Sequence, residues 1–317
     1  SGILLYGISI VYGLVGSTNL NDVVIGFGKI IHSSPELQPL AILSIVAMIA
    51  GFGLKMAIVP FHMWLPDALE GAPTPVSALL SAGTKKAGFV AAIRVFVIAM
   101  PLAFRLDIAI TIAILAIVTM TLGNIAALTQ KSITRLLAYS SIAHAGYILI
   151  GLSAATTLGL TGLLYHVFSH AVMTSAAFIV AAAVIHKGFK PHVESFNGLG
   201  KIMPFTAFAF TISLLALAGV PPLNGFWSKL LLFTAAIEAD MIWLAVAAAL
   251  NSAFSLGYYG WIIKRMYLDT PENGIQKRLR ENNGFTITLV VTTVIIILTG
   301  LFPFIIFELA QKAILGI

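Results

Sequence analysis

Residues 203–236, MPFTAFAFTISLLALAGVPPLNGFWSKLLLFTAA, form the most informative run of the chain. The run is apolar almost throughout, carries one charge, Lys229, and is interrupted by Pro221 and Pro222. About 20 apolar residues suffice for a helix to cross the roughly 30 Å hydrocarbon layer. The run is therefore too long for one straight helix, and proline, with no amide hydrogen to donate, divides it into two half-helices. A lysine beside such a break is costly in lipid and is by default a functional residue.

Similar apolar runs extend in both directions. They predict a partial span at 1–16 and further spans near 39–60, 75–99, 107–128, 133–153, 158–186, 240–265 and 284–309. With 203–236 this makes about nine crossings, and the 39–60 span has a comparable break at Pro60 and Pro66. Of the 317 residues 59% are hydrophobic and only 9% charged, where soluble domains carry about a quarter charged residues. Strands of a membrane barrel would alternate in polarity, and these runs do not. The expected class is all-α, a polytopic membrane helix bundle, with residues 1–317 forming a single transmembrane domain. The opening Ser-Gly-Ile-Leu-Leu-Tyr is already apolar, without methionine or a basic signal start. It reads as the interior of a helix, with further chain expected upstream.

The chain has no cysteine, which excludes disulfides, thiolate nucleophiles, cysteine-ligated zinc and iron–sulfur clusters within it. Electron chemistry must then sit in a partner. The net charge of +6 is not a nucleic-acid signal once the charges are placed. Lys131, Arg135, Lys187, Lys190, Lys201, Lys264, Arg265, Lys277, Arg278 and Arg280 fall on one side of the predicted spans, and Lys29, Arg105 and Lys312 on the other. By the positive-inside rule the first side is cytoplasmic.

Five basic residues remain inside spans: Lys55, Lys85, Lys86, Arg94 and Lys229. Arg94, near a span end, can snorkel or pair. Lys55 and Lys229 stand by proline breaks, far from loop charges. Lys85 and Lys86 are adjacent, point about 100° apart on a helix, and cannot both face one interior path, so one is expected to be peripheral. The 12 acids fall in loops or at span ends. Burial favours the neutral form of lysine, so lysines without a membrane counter-ion can load and unload protons. His144, His166 and His170 also lie within spans. His166 and His170 share a helix face, yet no third ligand accompanies them for a metal; packing and a water-linked proton relay remain as readings. His62 is expected to fix the helix break or a loop, and His32, His186 and His192 to be interfacial. Gly51-Phe-Gly53 lacks the strand and helix context of a dinucleotide site, and no phosphate loop, catalytic triad or nucleic-acid module is present.

The stretch Gly53-Leu-Lys55-Met-Ala-Ile-Val-Pro60-Phe-His62-Met-Trp64-Leu-Pro66-Asp67, continuing to Glu70-Gly-Ala-Pro73-Thr-Pro75, resembles the antiporter-like membrane subunits of complex I and their relatives. The resemblance continues through Lys85-Lys86-Ala-Gly with Arg94, Arg135-Leu-Leu-Ala-Tyr139-Ser-Ser-Ile-Ala-His144-Ala-Gly-Tyr147, and Leu217-Ala-Gly-Val-Pro221-Pro-Leu-Asn-Gly225-Phe-Trp-Ser-Lys229, covering essentially the whole chain. Within the family it looks most like the N-type subunit, the counterpart of mitochondrial NADH dehydrogenase subunit 2. Thr174 stands where the larger sister subunits and sodium/proton antiporter relatives typically carry lysine, which shifts weight to His170 or water.

The resemblance implies fourteen helices in two inverted five-helix repeats, each with a proline-broken helix, of which this chain would supply the sixth, in part, to the fourteenth. It implies that Lys55 is the first-repeat lysine, pairing with a glutamate of the fifth helix, that Lys85 is the connecting lysine, with Lys86 as its alternate, and that Lys229 is the second-repeat lysine. Protons would enter from the cytoplasm, pass through Lys55, Lys85, the histidines and Lys229, and leave outward. Other membrane subunits and a peripheral redox arm holding flavin and iron–sulfur clusters would be the partners, beside lipid. NADH, F420H2 or ferredoxin would be the donor, and a quinone or methanophenazine the acceptor, in a prokaryotic cell membrane. The rival reading is a sodium/proton antiporter subunit without redox coupling. Sodium would want oxygen ligands, above all carboxylates, inside the membrane, and Thr174 also counts against it.

Overall fold

The structure is a computed structural model and describes residues 2–99, 108–271 and 278–315. Arg105, Asp107, Glu272 and Lys277 lie outside them. The described residues form an all-α bundle. Its helices are α1 (Gly2–Val15), α2 (Leu20–Ser33), α3 (Gln38–Met56), α4 (Trp64–Gly71), α5 (Thr74–Leu79), α6 (Lys85–Ala92), α7 (Ile108–Leu128) and α8 (Ile133–Ala154). After them come α9 (Thr157–His186), α10 (Leu199–Ile202), α11 (Pro204–Ala218), α12 (Asn224–Glu238), α13 (Ile242–Leu268), α14 (Asn283–Leu301) and α15 (Pro303–Leu315). π-Helical segments at Leu80–Thr84 and Ile93–Ala99 flank α6. Six helices, α3, α7, α8, α9, α13 and α14, are long and apolar enough to cross a membrane, and a seventh crossing results if α1 and α2, bent by 70°, are taken together.

Both expected breaks are present, between α3 and α4 and between α11 and α12. Gly219 ends α11 with φ 87°, the left-handed conformation in which glycine terminates helices without steric cost. Pro221 and Pro222 follow directly and cannot continue the helix. Pro66 is a correction: it lies inside α4, in the first turn, where the missing amide hydrogen has no intrahelical partner to lose. Helix α2 was not expected either. Asn19 caps it, its side chain accepting from the Asn21 amide at 2.9 Å, and Val23, Phe27 and Ile30 bury one face at i, i+4 and i+7.

Helix α8 is the centre of the bundle. Of its most apolar stretch 94% is buried, against 28% for α14. Small residues bring α7 against it: a Cβ on Gly123 would come 2.5 Å from the Ala143 amide nitrogen, and one on Gly146 would come 2.6 Å from that of Met120. At its start Arg135 donates to Asp67 at 2.7 Å and Glu70 at 3.0 Å, tying α8 to α4. These partners are partly exposed, so the pairs add little stability individually.

The core is divided in two. One apolar cluster takes Ala78, Ala127, residues 133–142 of α8, residues 173–184 of α9, Leu223, and Tyr258 to Met266 of α13. The other takes Phe89, Met120, residues 145–152 of α8, Leu160 and Leu163, Leu232, and Leu244 to Ala248. Helices α7, α8, α9 and α13 have members in both clusters and pass between them at polar residues, Asn124, His144, His166 with His170, and Asn251 with Ser252; Lys85 and Lys86 lie likewise between Ala78 and Phe89, and Lys229 between Leu223 and Leu232. A polar seam thus runs across the middle of an otherwise apolar bundle.

Candidate functional site

Buried polar groups in such an interior persist only when they are hydrogen-bonded, and in the seam they bond chiefly to one another. Lys86, 5% exposed, places Nζ 2.6 Å from His170 Nδ1. The His170 ring, also touched by the Thr174 hydroxyl at 3.1 Å, lies with its centroid 4.5 Å from that of His144. His144 Nδ1 is 3.0 Å from His166 Nε2, and His166 Nδ1 is 2.9 Å from the Ser228 hydroxyl. Lys229 follows Ser228 in the chain. Its ammonium donates to the Leu217 carbonyl at 3.0 Å, the Ala218 carbonyl at 2.9 Å and the Ser252 hydroxyl at 2.9 Å. The break positions it: the last carbonyls of α11 have no intrahelical donor, and the first turn of α12 swings Lys229 under them.

The adjacent lysines answer differently from the expectation that one would be peripheral. Both are buried, Lys85 to 1% exposure. The angle between them is as expected, but both directions lead to buried partners. Lys86 faces α9 and the histidines, while Lys85 faces α8, donating to the Ser141 carbonyl at 2.6 Å and hydroxyl at 3.3 Å. The resemblance favours Lys85 as the connecting lysine, whereas the residue in contact with His170 is Lys86. The third imidazole missing beside His166 and His170 is His144, supplied by α8. Among the described residues no group of His, Asp and Glu has the arrangement of a metal site.

Lys55 stands apart from this row. Its side chain is exposed and lies over Gly88 of α6, beside a cavity of about 500 Å³ lined also by Leu4, Phe52, Trp64 and Ala91. A similar cavity, about 380 Å³, borders Lys229 between the α11–α12 break and α13, with Pro221, Phe226, Leu230 and Ser252 in its lining. Arg94 is exposed beside Lys312 and Leu164, consistent with snorkelling. His62 is buried next to the first break.

Sequence reasoning missed the neutral part of the seam. Asn124 donates to the Asn251 carbonyl and side-chain oxygen, both at 3.1 Å. It accepts from Tyr258 at 3.1 Å, and the Tyr259 and Ser140 hydroxyls are bonded to each other. These contacts join α7 to α13 and α13 to α8. Carboxamides pass protons poorly because they lack a readily exchanged ionisable group, so the contacts order helices rather than relaying charge. Amides and hydroxyls inside apolar runs carried no charge signal, and only their contacts between helices mark them.

Two broken helices, and a lysine–histidine row buried between two apolar clusters, define a class: helical membrane bundles with ionisable groups in their interior. Residues 1–255 match the family model described as NADH:quinone oxidoreductase/Mrp antiporter, TM, and the chain belongs to that family. It is 44% identical to F(420)H(2) dehydrogenase subunit N of Methanosarcina mazei and 40% identical to NADH-quinone oxidoreductase subunit N of Trichlorobacter lovleyi. Each alignment covers 99% of this chain and 64% of the relative, so the chain spans less than two thirds of their length. Among solved structures it is similar to a chain of respiratory complex I from Thermus thermophilus, with 32% identity and a TM-score of 0.78 over 97% of this chain and 65% of that one. A chain of the Mrp complex from Dietzia sp. gives a TM-score of 0.87 over 98% of this chain and 64% of that one, at 23% identity, a likeness of fold alone.

Proposed function

We propose that this chain is the N-type proton-translocating membrane subunit of a redox-driven, complex I-like oxidoreductase. The observation that carries the reading is the row Lys86, His170, His144, His166, Ser228, Lys229: Lys86–His170, His144–His166 and His166–Ser228 are within hydrogen-bonding distance, His170 and His144 are in ring contact, and Lys229 follows Ser228 on α12. Imidazoles can take a proton at one nitrogen and release one from the other, and lysines at the ends can store charge. Lifting one charge against 100 mV takes about 2.3 kcal/mol, equivalent to about a fiftyfold change in proton affinity. A neighbouring charge that approaches and withdraws in a low-dielectric interior supplies that much.

In this reading Lys229 ends the row, Lys86 begins it, and Lys85 is its neighbour on the α8 side. Lys55 meets a carboxylate from outside the described chain in the cavity beside it. The chain is one transmembrane unit of about nine crossings in a prokaryotic cytoplasmic membrane with its basic loops inside. The α11–α12 pair and the helical run 74–99 each count as one crossing. Other membrane subunits, lipid and a peripheral arm with flavin and iron–sulfur clusters are its partners. The electron donor is NADH, F420H2 or ferredoxin, and the acceptor a quinone or methanophenazine. The names of the 44% and 40% identical relatives support the redox assignment.

Proton uptake and release by the intact complex in sealed vesicles, with sodium varied and the electron donor added or withheld, tests this function. Proton flux that starts only with the donor and is unchanged when sodium is removed is the expected result. Flux that follows sodium without a donor would instead make the chain a sodium/proton antiporter subunit.

A further inference from the structure

The row ends in a lysine that has no anionic partner among the described residues. All three donors of the Lys229 ammonium are taken, two by backbone carbonyls and one by a hydroxyl, and none of these acceptors carries a formal charge. Among the described residues no carboxylate pairs with it. The ammonium also lies against an aromatic face: Nζ is 4.8 Å from the centre of the Tyr147 ring. That ring is fully buried and touches the row twice more, with centroid distances of 5.6 Å to His144 and 6.3 Å to His166. Tyr147 is one turn beyond His144 on α8, so the helix that supplies the middle imidazole also presents this face to the terminal lysine.

An aromatic face carries the negative lobe of the ring quadrupole and attracts an ammonium, most strongly where water is absent. We propose that Tyr147 is a positioning residue for Lys229: its ring face is the fourth wall of the ammonium site and holds the charged lysine at the end of the row in place of a counter-ion. The inference rests on the reading above that Lys229 carries the translocated proton. It assigns the work to the ring and not to the phenol hydroxyl. A neutral amine has less to gain from the face than an ammonium, so the ring favours the loaded state of the site over the empty one while leaving the three oxygen acceptors available to both.

The test replaces Tyr147 with phenylalanine and then with mono-, di- and trifluorophenylalanine, which keep the ring's shape and progressively cancel its quadrupole. The full-length chain is used in the assembled complex in sealed vesicles, and protons moved per electron pair are read alongside the amount of assembled complex. Tyr147→Phe is expected to pump like wild type. The fluorinated series is expected to lose pumping in order of fluorine number, about three- to tenfold over the series, at constant assembly. A flat series, or loss of pumping already in Tyr147→Phe, overturns the proposal. Lys229→Met measured in parallel separates the two levels. If it pumps normally the proposed function itself fails, and if it is inactive while the series is flat, only the role of Tyr147 falls.

Discussion

Lys229→Met is expected to lower coupled proton transport about fiftyfold or more, the factor that corresponds to the free energy of one charge moved against 100 mV. Methionine matches the length of the lysine stem but neither accepts nor releases a proton. The substitution also strips the Leu217 carbonyl of its donor; Ala218 keeps a hydrogen bond from Ser252 at 3.1 Å. A buried acceptor left alone costs about 1–3 kcal/mol, so some loss of assembled complex accompanies the loss of pumping. Lys229→Arg separates these effects. Arginine retains donors and charge for the carbonyl cup but does not give up its proton. Restored assembly with pumping still absent is the expected outcome, and restored pumping would reduce Lys229 to a structural cap.

Gly225→Ala is expected to be among the most damaging single-methyl additions in the chain. A Cβ at this position would lie 1.8 Å from the Ala216 carbonyl oxygen and 2.8 Å from its carbon, so backbone and not a flexible side chain must yield. The first turn of α12 would be pushed off the last turn of α11, taking Lys229 away from the carbonyls it caps. Overpacking of this kind costs about 3 kcal/mol, at the upper end of the usual range. The measurement is the fraction of complex that survives graded heating, with Gly13→Ala as control because a Cβ there meets nothing within 4 Å. Survival of Gly225→Ala equal to the control would mean that the break is looser than described.

The breaks and the buried lysines were legible in sequence because proline and charge are the two things an apolar run cannot hide. Lys229 beside Pro221 and Pro222 identified its own site. The pairing of Lys86 with His170 was not legible: the angle between adjacent helical residues could be stated, but not that each lysine would meet a buried partner, Lys85 on α8 and Lys86 on α9. His144 joins His166 from another helix, a contact no spacing along the chain encodes. Asn124, Asn251 and Tyr258 passed unnoticed because neutral polar residues inside a span are unremarkable one at a time. Helix α2 was missed through its polar start at Asn19, Asn21 and Asp22, although Val23, Phe27 and Ile30 have the helical period.

Continuity of the row is what the account depends on, and His166 is the link to break. It contacts His144 at 3.0 Å and Ser228 at 2.9 Å, and touches none of the oxygens that hold Lys229. Protons moved per electron pair in sealed vesicles are therefore to be compared between wild type and His166→Leu, with assembly and electron transfer followed together. An assembled complex whose pumping is largely lost is the expected result. An assembled His166→Leu complex that pumps as wild type would show that protons do not pass along the row.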